Sequence, residues 1–226
     1  MDAFKPVKLV VLDFDGVFFG HGVGDNYYTQ AFEYISKKKG VNPLKRIGAA
    51  AYKRAVQLTA KVFSELRPNL PTFMMSDFFF RGLTETESYE VLEKGNVLQK
   101  NLDGLSSLKA ILETKYFEAD LKFVCITYGP KQPVENLFNR EGLDYVDVFA
   151  PEFEFENGSI VTFKYRDFLK NKKELAASYI ETLEEQGFEV EGILSIGDRK
   201  QDIIYDKHID VSERNKAIDS LYLCSV

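Results

Sequence analysis

Two aspartates, Asp13 and Asp15, directly follow the first apolar run of the 226-residue chain. Residues 9–12 are all apolar, which is typical of a strand buried on both faces of a parallel sheet. Residues two apart on an extended chain project to the same side, and Gly16 lets the chain turn away at once. The pattern therefore predicts two carboxylates at the carboxyl end of a central strand, where open α/β sheets bind their ligands.

Two later strands of the predicted sheet also end in polar side chains. The strand-like run 121–127 ends in Thr127, and Gly129 lies two residues further on. A hydroxyl and turn amides at a strand end are able to hydrogen-bond an oxyanion. Asp198 follows the run 193–197, and Asp202 comes four residues later. The sequence thus predicts acids and an anion-binding hydroxyl at one sheet edge.

A lysine pair, Lys172 and Lys173, opens a helix predicted over 172–186. Either ammonium group could reach the same sheet edge. With Lys172 in that role, the apolar residues that follow at helical spacing take the inward positions, whereas Lys173 would place two glutamates there. Lys172 is therefore favoured, and Lys173 is the alternative.

Together these side chains suit phosphoryl chemistry. A dense group of carboxylates needs a hard cation with oxygen ligands, so Mg²⁺ is the expected cofactor. A lysine and a hydroxyl donor beside Mg²⁺ would bind a phosphoryl group, and a carboxylate is able to act as its nucleophile.

Strands and helices alternate along most of the chain, which predicts an α/β fold with a doubly wound, Rossmann-like parallel sheet. After the first strand, however, the pattern is wholly helical to about residue 98. We therefore expect a catalytic core of residues 1–18 and 99–226, with residues 19–98 inserted as an all-helical cap.

Local signals predict several details of these elements. Asp25 is a candidate cap for the first inserted helix, and Thr84 with Glu87 forms a capping-box pattern. Pro43 opens a helix whose apolar residues recur at 47, 51, 55 and 58. The aromatic run 78–80 is expected in the core of the cap. A hairpin is expected over 152–163, with its turn at 157–158. A last strand is expected over 221–224.

Composition narrows the class of protein. The net charge of −6 argues against a protein that binds nucleic acid through phosphate contacts. No signal-peptide core is apparent, and no apolar stretch approaches the ~20 residues of a membrane span. Cys125 and Cys224 lie in apolar runs, which favours buried thiols over a disulfide or metal site. We expect a cytoplasmic protein that acts on a small molecule, with neither nucleic acid nor membrane as partner; its oligomeric state is not determined by the sequence.

The order LDFDGV, VCIT, lysine and SIGDRKQD resembles the haloacid dehalogenase-like (HAD) superfamily of aspartyl-phosphate phosphatases, over essentially the whole chain. The helical insertion is similar to the helical-cap subgroup, and the segment 149–158 is similar to the hairpin of its phosphoserine phosphatase-like members. The second acid, Asp15, is absent from the dehalogenases of the superfamily, so the resemblance implies phosphoryl chemistry.

The resemblance also implies a role for each residue. Asp13 would be the nucleophile, and Asp15 would protonate the leaving oxygen and then activate water. The carboxylates of Asp13 and Asp198 and the main-chain carbonyl of Asp15 would bind Mg²⁺. Thr127, Gly129 and the lysine would hold the phosphate, and Asp202 would support the metal shell.

The sequence departs from the family pattern at Val17, where many members have a threonine whose hydroxyl could orient Asp15. The acid and arginine expected of a phosphoserine-binding cap do not align, so a serine-specific substrate is not predicted. The interpretation is an Mg²⁺-dependent phosphatase of a small phosphate monoester. A phosphomutase of the same superfamily is the alternative, and a non-catalytic binding protein on this fold is a third reading.

Overall fold

The computed structural model describes residues 5–20, 26–62, 70–116, 119–198 and 207–211, together with 218 and 222. A five-stranded sheet lies at its centre, in the order β3-β2-β1-β6-β7, and all neighbouring strands are parallel. The strands are β1 (Lys5–Leu12), β2 (Asp120–Ile126), β3 (Val146–Phe149), β6 (Phe188–Gly197) and β7 (Lys207–Asp210). This confirms the predicted α/β fold with a doubly wound parallel sheet.

The strand β1 lies in the middle of the sheet, and both of its faces are covered. Its last four residues are all buried, as the apolar run predicts. Further elements of the core lie outside this sheet. These elements are α5 (Gln99–Lys115), α6 (Lys131–Arg140), the hairpin strands β4 (Glu152–Glu156) and β5 (Ser159–Lys164), and α7 (Lys172–Glu185).

The edge of the sheet differs from the sequence prediction. β7 has only one buried residue, Ile209, between polar neighbours, so it carries no apolar run that would reveal a strand. The last strand was instead expected over 221–224, and that prediction was wrong at Tyr222, which is helical. The rest of that segment, including Cys224, lies outside the described residues, whereas Cys125 is a free, fully buried thiol as expected.

Among the described residues, four helices lie between β1 and α5, where the helical insertion was predicted. They are α1 (Tyr27–Lys37), α2 (Pro43–Val62), α3 (Leu70–Phe80) and α4 (Glu85–Glu93). Asn26 caps α1 by accepting a hydrogen bond from the Thr29 amide, whereas the expected cap, Asp25, lies outside the described residues. The capping box of Thr84 and Glu87 is confirmed.

The two chain segments that join the insertion to the core run side by side. The Gly20 amide donates to the carbonyl of Asn96 at 2.8 Å, and the Leu98 amide donates to the carbonyl of Phe18 at 2.8 Å. These bonds lie close to the predicted boundaries at residues 18–19 and 98–99.

The hairpin of β4 and β5 joins the insertion to the core a second time. Its turn residues Asn157 and Gly158 have φ of 50° and 76°, as the predicted Asn-Gly turn requires. The Gly82 amide donates to the Ile160 carbonyl at 2.9 Å, and the Ile160 amide donates to the Leu83 carbonyl at 2.8 Å. Phe80 of α3 packs against Phe153 of the hairpin with ring centroids 5.4 Å apart. The insertion therefore shares both hydrogen bonds and aromatic core with the hairpin.

The prediction that the aromatic run 78–80 lies in the core of the cap was wrong at one residue. Phe79 and Phe80 are buried, but Phe78 is 56% exposed. Helix α2 buries Ala49, while the side of α2 that carries Ile47 and Ala51 is exposed. Among the helices described, none combines the length and apolar character that crossing a membrane would require.

Candidate active site

Three adjacent strands bring the predicted polar residues to one edge of the sheet. Asp13, Thr127 and Asp198 each come directly after the last residue of β1, β2 and β6. Because β1 pairs in parallel with both β2 and β6, the three strand ends lie next to one another. The Asp13 amide continues the ladder by donating to the Ile196 carbonyl of β6 at 2.9 Å. The structure thus brings together acids and hydroxyl as the sequence predicted.

The loop that follows Asp13 is fixed by buried aromatic side chains and main-chain hydrogen bonds. Phe14 and Phe18 are fully buried, and the amide of Phe18 donates to the carbonyl of Phe14 at 2.9 Å. The Phe14 amide donates to Asp13 Oδ1 at 2.7 Å. Asn101, on α5, donates from Nδ2 to the Val17 carbonyl at 2.5 Å. These contacts fix the loop that follows Asp13, and so they hold the Asp13 side chain in place.

Lys172 lies directly against Asp13. Its Nζ is 2.5 Å from Asp13 Oδ1, and the side chains are only 6% and 7% exposed. Asn171 caps α7, with Glu174 completing the capping box, so Lys172 is the first helical residue. Lys173 is exposed. Of the two candidate lysines, the structure brings only Lys172 into the cluster.

Asp198 packs against the loop at Gly16. Gly16 has φ of +86°, and a Cβ added there would lie 2.1 Å from Asp198 Oδ2. The missing side chain of Gly16 thus creates the space that the Asp198 carboxylate occupies. Asp202, which was expected to support the same cluster, lies outside the described residues.

The carboxylates of Asp13 and Asp198 and the main-chain carbonyl of Asp15 form a set of hard oxygen donors, which suits Mg²⁺. Among the described residues, no three His, Cys, Asp or Glu side chains are grouped as metal ligands. The expected set needs only two side chains, since its third donor is a carbonyl. The donor chemistry of this set therefore fits a magnesium ion.

Asp15 contacts the helical insertion. The main-chain amide of Tyr27, the first residue of α1, donates to Asp15 Oδ1 at 3.2 Å. The first amides of a helix have no partner within the helix, so they are available to a carboxylate. This bond orients the Asp15 carboxylate. Val17 cannot do so, because it has no hydroxyl group. Tyr27 could not be identified as a site residue from the sequence, because a main-chain donor leaves no signal in residue type.

Thr127 is almost fully buried, and its Oγ1 accepts a hydrogen bond from the Gly129 amide at 3.0 Å. A Cβ added at Gly129 would lie 3.8 Å from the Cβ of Tyr27, so the loop after β2 faces the start of α1. The Gly129 amide is therefore directed at the Thr127 hydroxyl.

Two neighbouring groups contribute no charge to the cluster. Burial raises the pKa of the Cys125 thiol well above its usual range, and the Asp13 carboxylate raises it further. Burial also raises the pKa of Tyr28, with a contribution from the charge of Asp15. Both groups stay protonated at neutral pH, so the negative charge of the site comes from its carboxylates.

The fold was compared with known proteins. A phosphoserine phosphatase with an analogue of the phospho-aspartyl intermediate aligns with a TM-score of 0.58 and 16% identity, over 88% of this chain and 82% of that chain. A phosphoserine phosphatase from T. onnurineus aligns with a TM-score of 0.52 and 18% identity, over 97% and 90%. The chain has a HAD-like fold. Cytosolic 5′-nucleotidase IIIB bound to cytidine has the same fold, with a TM-score of 0.54 and 11% identity over 91% and 72%. No protein-family model and no curated protein sequence matches the chain.

In this HAD-like fold, Asp13, Thr127 and Asp198, which the sequence motifs identified, lie at the carboxyl ends of the central strands. The comparisons confirm the fold predicted from the resemblance, including its similarity to phosphoserine phosphatases. The roles of the individual residues stay predictions.

Proposed function

We propose that the protein is an Mg²⁺-dependent phosphatase that hydrolyses a small phosphate monoester through an aspartyl-phosphate on Asp13. The observation that carries this proposal is the buried pair of Asp13 and Lys172, with Nζ 2.5 Å from Oδ1, at the end of the central strand. A buried carboxylate held by a lysine is both ionised and positioned to attack, and the lysine charge favours the approach of an anionic phosphate.

In the first step, an Asp13 carboxylate oxygen attacks phosphorus, and the bond between phosphorus and the ester oxygen breaks. Asp15 gives its proton to that leaving oxygen. In the second step, Asp15 takes a proton from a water molecule that attacks phosphorus, which releases inorganic phosphate and restores Asp13. The hydrogen bond from the Tyr27 amide supports this role of Asp15, because it fixes the direction of the carboxyl group.

The remaining residues would bind the phosphate. Thr127 would donate its hydroxyl proton to a phosphate oxygen, and Lys172 would neutralise part of the charge. The resemblance also gives Gly129 a phosphate contact, but its amide donates to Thr127, so Gly129 would act by positioning that hydroxyl. Asp13, Asp198 and the Asp15 carbonyl would hold Mg²⁺, which when bound supplies positive charge to the phosphoryl group.

We also propose that residues 19–98 act as a cap that selects the leaving group. The start of α1 lies at the site, since Tyr27 contacts Asp15 and is close to Gly129. A helical lid at this position leaves room for a small metabolite but not for a folded phosphoprotein. The enzyme would work in the cytoplasm, in keeping with the sequence expectation.

The test is a panel of small phosphate esters with Mg²⁺, with acid-quenched protein examined by mass spectrometry for a phosphorylated peptide that contains residue 13. Asp13→Asn should lower kcat by at least about a thousandfold and abolish the phosphopeptide. Asp120→Asn is the matched control, because Asp120 is an aspartate at the opposite end of the neighbouring strand, paired with Lys5.

Three results would contradict the proposal. Near-normal turnover by folded Asp13→Asn would exclude the covalent route. A preference for a phosphorylated protein over small esters, in kcat/KM, would exclude the cap as a selector of small substrates. Isomerised ester in place of inorganic phosphate, together with dependence on a bisphosphate activator, would identify the phosphomutase alternative.

A further inference from the structure

The helical insertion has an unusual distribution of charge. Residues 34–64 contain eight Lys and Arg residues and no Asp or Glu. The rest of the chain has 21 Lys and Arg residues against 35 Asp and Glu residues, so this segment is a basic region in an acidic protein. Salt bridges to Glu33 and Glu87 engage Lys37, Lys38 and Lys53, while Lys39 and Arg54 are exposed.

Apolar side chains of α2, within this segment, and of α3, which follows it, are exposed to solvent. Leu44 and Ile47 of α2 are 78% and 66% exposed, and Met74 and Phe78 of α3 are 55% and 56% exposed. Among the described residues, only one other large hydrophobic side chain, Leu169, is exposed. We call the four residues of α2 and α3 the apolar face.

The two helices that carry the apolar face pack against each other. Gly48 of α2 approaches α3 closely, since a Cβ added there would lie 3.4 Å from the Phe79 ring. Phe79 in turn contacts Phe78, with ring centroids 5.2 Å apart. Lys45 Nζ lies 6.0 Å from the centre of the Phe78 ring, so a basic residue borders the face where the helices meet. Arg54 continues the basic border along α2.

We propose that the apolar face binds the surface of a membrane that contains anionic lipids. A helix with exposed Leu, Ile, Met or Phe side chains and a basic border suits the interface between acyl chains and anionic headgroups. The side chains protrude, which suits insertion into a fluid bilayer. A second copy of the chain is disfavoured as the occupant, because a symmetric contact would bring two basic segments together.

This surface contact is compatible with the described helices, because it requires no membrane span. It departs from the expectation of no membrane partner, which rested on the lack of an apolar stretch long enough to span a bilayer. The contact is also independent of the proposed phosphatase activity, since none of its residues belongs to the active site.

The experiment is cosedimentation of the full chain with vesicles of phosphatidylcholine alone, or mixed about two to one with phosphatidylserine. We expect binding to the anionic vesicles that falls as salt is raised. The double variant Ile47→Gln with Phe78→Gln should bind about tenfold more weakly, because two apolar side chains no longer enter the bilayer. Arg54→Gln should weaken binding to anionic vesicles only. Leu169→Gln, which removes the exposed hydrophobic residue outside the face, is the matched control.

Thermal unfolding checks that each variant is folded, without reference to enzymatic activity. The proposal is overturned if the wild-type chain does not bind anionic vesicles, or if Leu169→Gln weakens binding as much as the double variant. It is also overturned if light scattering shows a dimer that the double variant dissociates, because the face would then be an interface between two copies.

Discussion

The carboxylate of Asp15 and the main-chain amide of Tyr27 are joined by a hydrogen bond of 3.2 Å. This bond connects the loop after β1 to the first turn of α1, and therefore connects the sheet edge to the helical insertion. Any movement of α1 relative to the sheet would change the direction of the acid. The position of the insertion and the geometry of Asp15 are thus coupled.

We predict that Tyr27→Pro lowers kcat more than Tyr27→Ala does, because it removes the hydrogen bond to Asp15. Both variants lose the buried ring, but only proline also lacks the amide hydrogen. Proline is tolerated at the first residue of a helix, and Asn26 before it is already extended. Steady-state kinetics should show kcat about tenfold lower for the proline variant than for the alanine variant.

The pH–rate profile separates this effect from a change in packing. The limb that reports Asp15 should move to higher pH in Tyr27→Pro, because the ionised carboxylate loses a stabilising hydrogen bond. Equal kcat values and identical profiles for the two variants would show that the amide has no role.

Gly16→Ala should lose both activity and magnesium affinity. A Cβ at position 16 would lie 2.1 Å from Asp198 Oδ2, so the acid must move. Gly158→Ala is the matched control, because Gly158 has a similar positive φ of 76° but no atom within 4 Å of an added Cβ. Backbone strain alone costs about 1–2 kcal/mol, and both variants should show it in urea unfolding. If Gly158→Ala impaired catalysis to the same extent, the contact with Asp198 would not be the cause.

The buried ion pair should be visible in a double-mutant cycle. Lys172→Met removes the cation beside Asp13 and should lower the free energy of unfolding by about 3–5 kcal/mol, since a buried charge loses its partner. Adding Asp13→Asn should recover most of this loss, although neither variant would be active. Urea unfolding in the presence of chelator measures all four states, with the exposed Lys173→Met as control. Additive effects of the two substitutions would mean that the pair is not coupled.

Metal removal should abolish turnover, and Ca²⁺ should not replace Mg²⁺. Calcium accepts more ligands at longer distances, so it would draw both oxygens of Asp13 and misdirect the nucleophile. The measurement is phosphate release after chelation, followed by titration with each ion. Full activity in excess chelator would contradict the proposed metal site.

Protonation of Glu33 in acid should lower the stability of the insertion. Hydrogen bonds from Lys37, and then from Lys53, hold the pKa of Glu33 below its ordinary value of 4.5. A carboxyl group whose pKa is lower in the folded state stabilises the fold above its unfolded pKa, and this contribution fades as the pH falls through the folded value.

Glu33→Gln should therefore lower the free energy of unfolding at pH 7 by less than about 1 kcal/mol, because the pair is partly solvated. The difference from wild type should disappear below the folded pKa of Glu33. Urea unfolding at several pH values measures it, with the exposed Glu184→Gln as control. A difference that persisted in strong acid would point to packing as its origin.

The central part of the fold could be predicted because its signals are local. The runs before Asp13 and Thr127 are apolar enough to identify buried strands, and polar residues follow each run. Parallel strands then bring those residues to one edge without further information. The choice of Lys172 over Lys173 followed from helical spacing in the same way, and Lys172 is indeed the buried one.

Features that depend on tertiary packing could not be predicted. The apolar residues of α2 recur at helical spacing from Ile47, yet α1 packs on the side of α2 that carries Tyr52, whose ring centroid lies 5.2 Å from that of Phe32. β7 is an edge strand with little apolar content. The contact between Tyr27 and Asp15 uses a main-chain amide, which every residue except proline possesses. Each of these depends on which elements become neighbours in space.

The hydrogen bonds between residues 82–83 and Ile160 have a consequence for how the chain is made. Synthesis proceeds from the amino terminus, so the helices of the insertion leave the ribosome well before the hairpin exists. Phe80 lacks part of its aromatic contacts until Phe153 has been synthesised. The insertion is therefore expected to mature late, after the second half of the chain has emerged, and a ribosome-bound fragment ending before residue 152 should leave this aromatic surface accessible to chaperones.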